Sequence, residues 1–471
     1  MRNILLCCGT IVLLNVQSSF TGDVHEKELQ LKDVGVLILS QNNSYHSGRA
    51  ERLYRDIKIQ LTHLNKDQWP EVVIAHEKWD SIGYWTLFPI LKQLAWTYSK
   101  HAWLFICEEE TKVNLNGLLK VLKKYDYTQH YFLGKPLYDD YPVIQHHFES
   151  DKKFAYPDFS AGFLISIPLL KELASNWPLP KFKADFTIDP KHEVAMYLKM
   201  IGVMLTPVPE LCTEKKNSQC VTTNSVPFPV CGPMIPDEDL YVAVKTCEKY
   251  HSTRLNVVID TWARESRNIE FISETEDKSI PTISLGVPNT ERGHCGKTFA
   301  ILKRFHNSRL KTPWLLIADD DTIINLKLLR KLLSCYDPTE PVSLGERYGY
   351  SVAMGNGYNY ITGGGGMVFS RETVDRLMTS GICSCPKNDS PDDMILGMCL
   401  KRLSLPITHS LFFHQARLKD YPEDFLNPKL HISFHKHWDS DPYDVYRAIT
   451  DIEDKIDLVK TQKRPIRRDE L

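Results

Sequence analysis

Three consecutive aspartates, Asp319, Asp320 and Asp321, close an apolar run in WLLIADDDTIINLKLLRKLL. Adjacent carboxylates repel one another unless something compensates them. A divalent cation does so, and carboxylate oxygens suit Mg2+ or Mn2+, which keep open positions for substrate phosphates. The plainer explanation is a helix N-terminus, where aspartate complements the helix dipole. Other residue types nearby bear on the choice. Gly363 to Gly366 follow YNYIT; such a run either lets backbone approach a ligand closely or forms a flexible hairpin. In SPDDMILG, Asp392 and Asp393 open a helical pattern. They are either a cap or a general base facing an acceptor hydroxyl. Histidines follow: His414 in LFFHQ, then His435 and His437 in HISFHKHW. An imidazole after a strand-like segment is a candidate nitrogen ligand for Mn2+.

The elements that must position these groups are written twice. WLFICEEETKVNLNGLLKVL, from Trp103, aligns without a gap on WLLIADDDTIINLKLLRKLL, from Trp314. Each is a short apolar run, an acidic triplet, then leucines at helical spacing such as Leu326, Leu329 and Leu333, and predicts strand, loop, helix. FLGKPL and VSLGER, AGFLISIPLLKEL and GGMVFSRETVDRL, and HEVAMYLKMIGVMLTPVP and DDMILGMCLKRLSLPITH repeat the echo in order. Two domains of one fold are expected, at 30–210 and 237–450, with a cysteine-containing linker at 211–236. Both open on an extended segment, DVGVLILSQ and LYVAVKTCEK. Strands alternating with helical patterns imply an α/β architecture with mainly parallel sheets, whose ligands sit at the carboxyl ends of the strands, where both acidic triplets fall. The first copy carries Glu108, Glu109 and Glu110 for the aspartates, Ser160-Ala161-Gly162 for the glycine run, and Glu193, with Asp189 nearby, for Asp393. It reads as a degenerate copy of the second.

The 471 residues are 42% hydrophobic and 25% charged, an ordinary globular mix, and the net charge of −2 gives no electrostatic case for nucleic acid. Residues 1–22 hold one Arg and an apolar run from Ile4 to Val16, which reads as a signal peptide or an uncleaved signal anchor. The tail, 451–471, is basic and ends in RDEL, close to the signal read by a retention receptor. Together they predict the endoplasmic reticulum lumen, or its membrane in type II orientation if the leader stays. Beyond the leader lie ten cysteines, an even number that reads as disulfides in an oxidising compartment, with Cys383 and Cys385 each pairing elsewhere. Asn42 begins a glycosylation sequon.

LYVAVKTCEKYHSTRLNVVIDTWARE, LLIADDDTIIN, the glycine run and PDDMILG together resemble the Fringe-like β-1,3-glycosyltransferases, over nearly the whole second half and in order. The resemblance implies two tandem GT-A-like domains, the first degenerate, and an inverting, metal-dependent transferase. It implies that Arg254, Asp319, Asp320, Gly364 and Gly365 contact a nucleotide-sugar donor, that Asp321 binds Mn2+ (or Mg2+), and that Asp393 is the base, with Asp392 the less favoured neighbour. Family members carry His-x-His after the last strand; here the local match is His414-Gln415-Ala416, so the ligand is assigned to His435, with His414 the alternative. The doubled architecture and retention tail are similar to members that add glucose from UDP-glucose to O-linked fucose on thrombospondin type 1 repeats. Other readings are the same fold with another UDP-sugar, or a non-catalytic lumenal lectin or chaperone.

Overall fold

The computed structural model describes residues 28–147, 153–183, 185–214, 218–224, 228–427, 429–436 and 439–451. The leader, the RDEL tail and His437 lie outside them. No helix among the described residues is long and apolar enough to cross a membrane.

The repeat is realised as two sheets with one strand order. In the first half the order is Thr206–Pro207, Phe132–Gly134, Phe163–Ser166, Trp103–Glu108, Val34–Leu39, Glu71–Ile74. In the second it is Thr408–His409, Ser343–Gly345, Met367–Ser370, Trp314–Asp319, Leu240–Lys245, Ile269–Ser273, with Thr282–Ser284 added at the edge. Only Phe163–Ser166 and Met367–Ser370 run antiparallel to their neighbours. The central strands VGVLIL, WLFICE, LYVAVK and WLLIAD are buried almost throughout. Continuous apolar runs of this kind belong to sheets covered on both faces. Trp103 and Trp314 are 0% and 1% exposed at matching places. After each acidic triplet an asparagine caps the next helix: Asn114 accepts from the Gly117 amide and Asn325 from that of Leu328. Leu326, Leu329 and Leu333 are all buried, as their spacing predicts.

The halves are interlocked. Phe186–Thr187 of the first pairs antiparallel with Arg347–Tyr350 of the second, which pairs in turn with Tyr358–Ile361. Phe425, Leu426, Phe434, Val445 and Ile449 pack into a core cluster built mainly by the first half. The segment expected as a linker contributes the Thr222–Thr223 strand, which pairs with Lys112–Val113.

Disulfides join Cys212 to Cys220, Cys231 to Cys335 and Cys295 to Cys385. Cys107, Cys247, Cys383 and Cys399 are thiols, so the expectation that every cysteine beyond the leader is bridged does not hold. Cys107 is locked inside a central strand, 1% exposed, and Cys247 is also buried, whereas the thiols of Cys383 and Cys399 lie against each other. Asn42 is exposed just before the Ser44–Gln60 helix.

The Cys231–Cys335 bridge closes a span of 104 residues and ties the inter-domain segment to the second half. Replacing both cysteines with serine is expected to destabilise the chain by about 2–4 kcal/mol, read from urea unfolding of the secreted protein.

Candidate active site

Parallel pairing sets the site. Lys245 and Asp319 are the last residues of adjacent strands and lie in register. The Lys245 ammonium sits 3.0 Å from Asp319 Oδ1 and 2.7 Å from Asp392 Oδ2, its side chain 4% exposed. Burial opposes its charge, yet Asp319 and Asp392 hold its pKa above the ordinary lysine range. Asp392 also accepts from Thr298 Oγ1 at 2.6 Å. Burial acts to raise its pKa, but the Lys245 charge prevails and holds it down to about 2. Asp392 is therefore an ionised partner already engaged on two sides.

Asp393, one residue on, points elsewhere. Its carboxylate accepts from its neighbour's amide, Met394 N–H at 2.7 Å, and lies within reach of the Gly363 amide. Burial, then the Asp392 charge, push its pKa up to about 6. A carboxylate with this pKa, which no cation among the described residues neutralises by direct contact, is suited to accept a proton near neutral pH.

The other two aspartates face Arg254. Its Nη1 lies 3.4 Å from Asp320 Oδ1 and 3.0 Å from Asp321 Oδ2. Asp320 accepts from Thr246 Oγ1 at 2.8 Å, but burial dominates and lifts its pKa to about 6. Antiparallel pairing of Thr322–Ile324 with Ser433–His435 then brings His435 beside the triplet, with Nε2 3.1 Å from Asp321 Oδ1. The opposite nitrogen, Nδ1, is 3.0 Å from the Gln415 carbonyl oxygen. Asp319, Asp321 and His435 present one ligand atom each, all within 4.8 Å of one another. Two carboxylates and an imidazole form a donor set that fits Mn2+.

The glycine run frames this group. A Cβ on Gly364 would stand 2.3 Å from His435 Nδ1, so only glycine admits the ring. Thr322 Oγ1 donates to the Gly364 carbonyl at 2.8 Å, and the Gly365 amide donates to Gln415 Oε1 at 2.9 Å. His414 is not part of the cluster. It is 1% exposed, its Nε2 is 2.8 Å from His431 Nδ1, and its ring stacks on Phe434. The sequence patterns do not single out Lys245, Thr246 or Thr298. The one available signal is a lysine ending the otherwise apolar strand LYVAVK.

The first half keeps the cleft but replaces its chemistry. Leu39 stands where Lys245 does, opposite Glu108. Lacking that cation, Glu108 keeps one oxygen buried without a partner, and burial pushes its pKa to about 7. Glu109 and Glu110 pair with His46 and Arg49. By the register of Thr222–Thr223 on Lys112–Val113, Asn224 falls where His435 stands. The match of Glu193 to Asp393 needs correction. The Pro190–Met200 and Asp392–Arg402 helices are equally long and lead equally soon to the Thr206 and Thr408 strands. That sets Lys191, paired with Asp189 at 2.7 Å, at the place of Asp393. Glu193 lies two residues further along, its side chain turned back to the Ile188 amide.

The Fringe-like family model matches residues 89–226 and 235–463. A mouse protein described as beta-1,3-glucosyltransferase is 49% identical over 463 residues, covering 97% of this chain and 93% of its own length. Its human counterpart is 49% identical over 433 residues, covering 90% and 86%. Human beta-1,3-N-acetylglucosaminyltransferase lunatic fringe is 26% identical over 235 residues, covering 44% and 61%.

Lys245→Met leaves the buried Asp392 and the partly buried Asp319 without their cation and is expected to destabilise the fold by about 3–5 kcal/mol in urea unfolding. Adding Asp392→Asn to it is expected to cost less than the sum of the single changes, because the partners act as a unit.

Proposed function

Because the chain belongs to the Fringe-like family and is a β-1,3-hexosyltransferase, we propose that its second domain moves glucose from UDP-glucose, in β-1,3 linkage, onto O-linked fucose of thrombospondin type 1 repeats. The names of the mouse and human relatives support glucose. The acceptor follows from the family resemblance, and the endoplasmic reticulum from the RDEL tail. The observation that carries the reading is the division of labour between Asp392 and Asp393: one is neutralised by Lys245, the other left to take a proton.

Asp321 and His435, with Asp319 beside them, would hold a divalent cation, Mn2+ or Mg2+. Bound there, it supplies the positive charge that makes a diphosphate a competent leaving group. Arg254, now on Asp320 and Asp321, is placed to turn to a donor phosphate. Asp393 takes the proton of the acceptor hydroxyl. That oxygen bonds to the anomeric carbon from the face opposite UDP, the bond from carbon to the phosphate oxygen breaks, and UDP leaves with its electron pair. One displacement inverts the α-linked donor to a β-linked product. The first domain, with Lys191 in place of a base and Asn224 in place of the histidine, is inactive and serves acceptor binding or packing.

A donor screen tests the reading. The secreted chain is offered UDP-sugars, Mn2+ and a fucosylated thrombospondin repeat, and added mass is read by mass spectrometry. A hexose gained from UDP-glucose alone supports it; N-acetylhexosamine or hexuronate would name another donor, and no transfer from any donor would leave a lumenal binding protein. Asp393→Asn is expected to lower kcat by about 10²–10⁴ with the fold intact, and Glu109→Gln to leave it unchanged. Since the base must be ionised, kcat/KM is expected to fall as pH drops through about 6. Gly364→Ala is expected to weaken Mn2+ binding at least tenfold by displacing His435, as followed by electron paramagnetic resonance of the free ion.

A further inference from the structure

The strands that interlock the halves carry a row of rings. Phe186, Tyr350 and Tyr358 are direct cross-strand partners on three neighbouring strands, so their side chains leave the same face of the sheet. The ring centroids of Phe186 and Tyr350 are 5.2 Å apart, and those of Tyr350 and Tyr358 5.5 Å. Adjacent strands lie about 4.8 Å apart, so the row spans about 10 Å. Tyr348 and Tyr360 pair on the same face, two residues along, and are buried. Phe186 is 43% exposed and Tyr350 37%.

The row leads to the base. The Asp392–Arg402 helix packs on the Tyr358–Ile361 strand at Gly397, where a Cβ would stand 2.6 Å from the Asn359 carbonyl oxygen and 2.6 Å from Tyr360 Cβ. Asp393 lies four residues earlier and so shares that side of the helix. Its charge acts on the same strand. Burial, then Asp393, raise the pKa of the Tyr360 phenol, and burial, then Tyr350, then Asp393 raise that of Tyr358. One end of the row is thus open to solvent on the first domain, and the other lies beside Asp393.

Cross-strand aromatic pairs stabilise a sheet through the faces they cover, yet Phe186 and Tyr350 keep over a third of their surface open. Open rings of this kind lose little conformational entropy on binding, and they take the carbon face of a sugar or the apolar side chains of a protein. A molecule that brings a hydroxyl to Asp393 lies beside Tyr358. A single sugar ring is no wider than one tyrosine ring, so a sugar there leaves Tyr350 and Phe186 to whatever carries it.

We propose that this row is the docking platform for the acceptor: the acceptor sugar lies over Tyr358, and the protein that carries it rests on Tyr350 and on Phe186 of the first domain. The inference rests on the reading of Asp393 as the base of a transferase and deepens it. The first domain contributes to the choice of protein, while the second works on the sugar.

The test assays the full secreted chain with Mn2+, a fucosylated thrombospondin repeat and the UDP-sugar that it transfers. Phe186→Ala and Tyr350→Ala are each expected to raise KM for the repeat at least fivefold, with kcat and the donor KM within twofold of the unaltered chain and folding checked by thermal unfolding. A row that merely braced the Asp393 helix would lower kcat and leave KM in place. Phe186→Tyr and Tyr350→Phe are expected to keep KM within twofold, as is Ile59→Ser, which alters an apolar residue 66% exposed on the Ser44–Gln60 helix. Hydroxyl-radical footprinting of the unaltered chain needs no variant: a saturating repeat is expected to shield Phe186 and Tyr350 at least twofold, and not Ile59. A KM unmoved in both alanine variants, a fall in kcat alone, or rings left unshielded overturns the platform and leaves the function standing. No transfer to the repeat from any UDP-sugar overturns the function, and the platform with it.

Discussion

The ammonium of Lys245 joins two carboxylates that arrive from different directions, Asp319 at the end of a central strand and Asp392 at the start of a helix. A charge in that position is tolerable only with its partners, and the partners only with it. The arrangement fixes the helix start against the sheet, and the backbone of the glycine run is drawn in with it through Gly363 and Asp393. It also sorts the acidic groups of the cleft. Asp392 is kept ionised, Asp393 is left with a proton affinity useful near neutral pH, and Asp321 stays beside His435. Five carboxylates in one cleft are thus given separate tasks by one cation, one guanidinium and burial.

The first half displays the same cleft without that cation. With Leu39 in its place, burial raises the Glu108 pKa to about 7, Glu109 and Glu110 pair with His46 and Arg49, and Lys191 stands at the place of Asp393. These changes are mutually consistent.

The repeat is the most legible feature of the sequence, because the gapless match at Trp103 and Trp314 constrains strand, loop and helix together. It anticipates two α/β domains and places both acidic triplets at strand ends. Strand-like context favours His435 over His414, and the fold brings only His435 beside Asp321. The shift from Glu193 to Lys191 is hidden, since both helices carry apolar residues on most sides, so their pattern does not expose a two-residue slide and only the following strand fixes the register. Lys245 is hidden for a different reason: a strand-end lysine normally reaches solvent, and its burial depends on a helix far along the chain. The thiols of Cys107 and Cys247 pass for bridged cysteines because an even count carries no information on depth.

The strand pairing between the halves has a mechanical consequence. Phe186–Thr187 supports Arg347–Tyr350, which supports Tyr358–Ile361, and the Asp392–Arg402 helix lies so close to that last strand that Gly397 has no room for a Cβ against Asn359 and Tyr360. The first half is therefore a buttress for the helix that carries Asp392 and Asp393. Damage to it would propagate as slackness in the second half, and the first domain could not be removed as a body without loosening that helix.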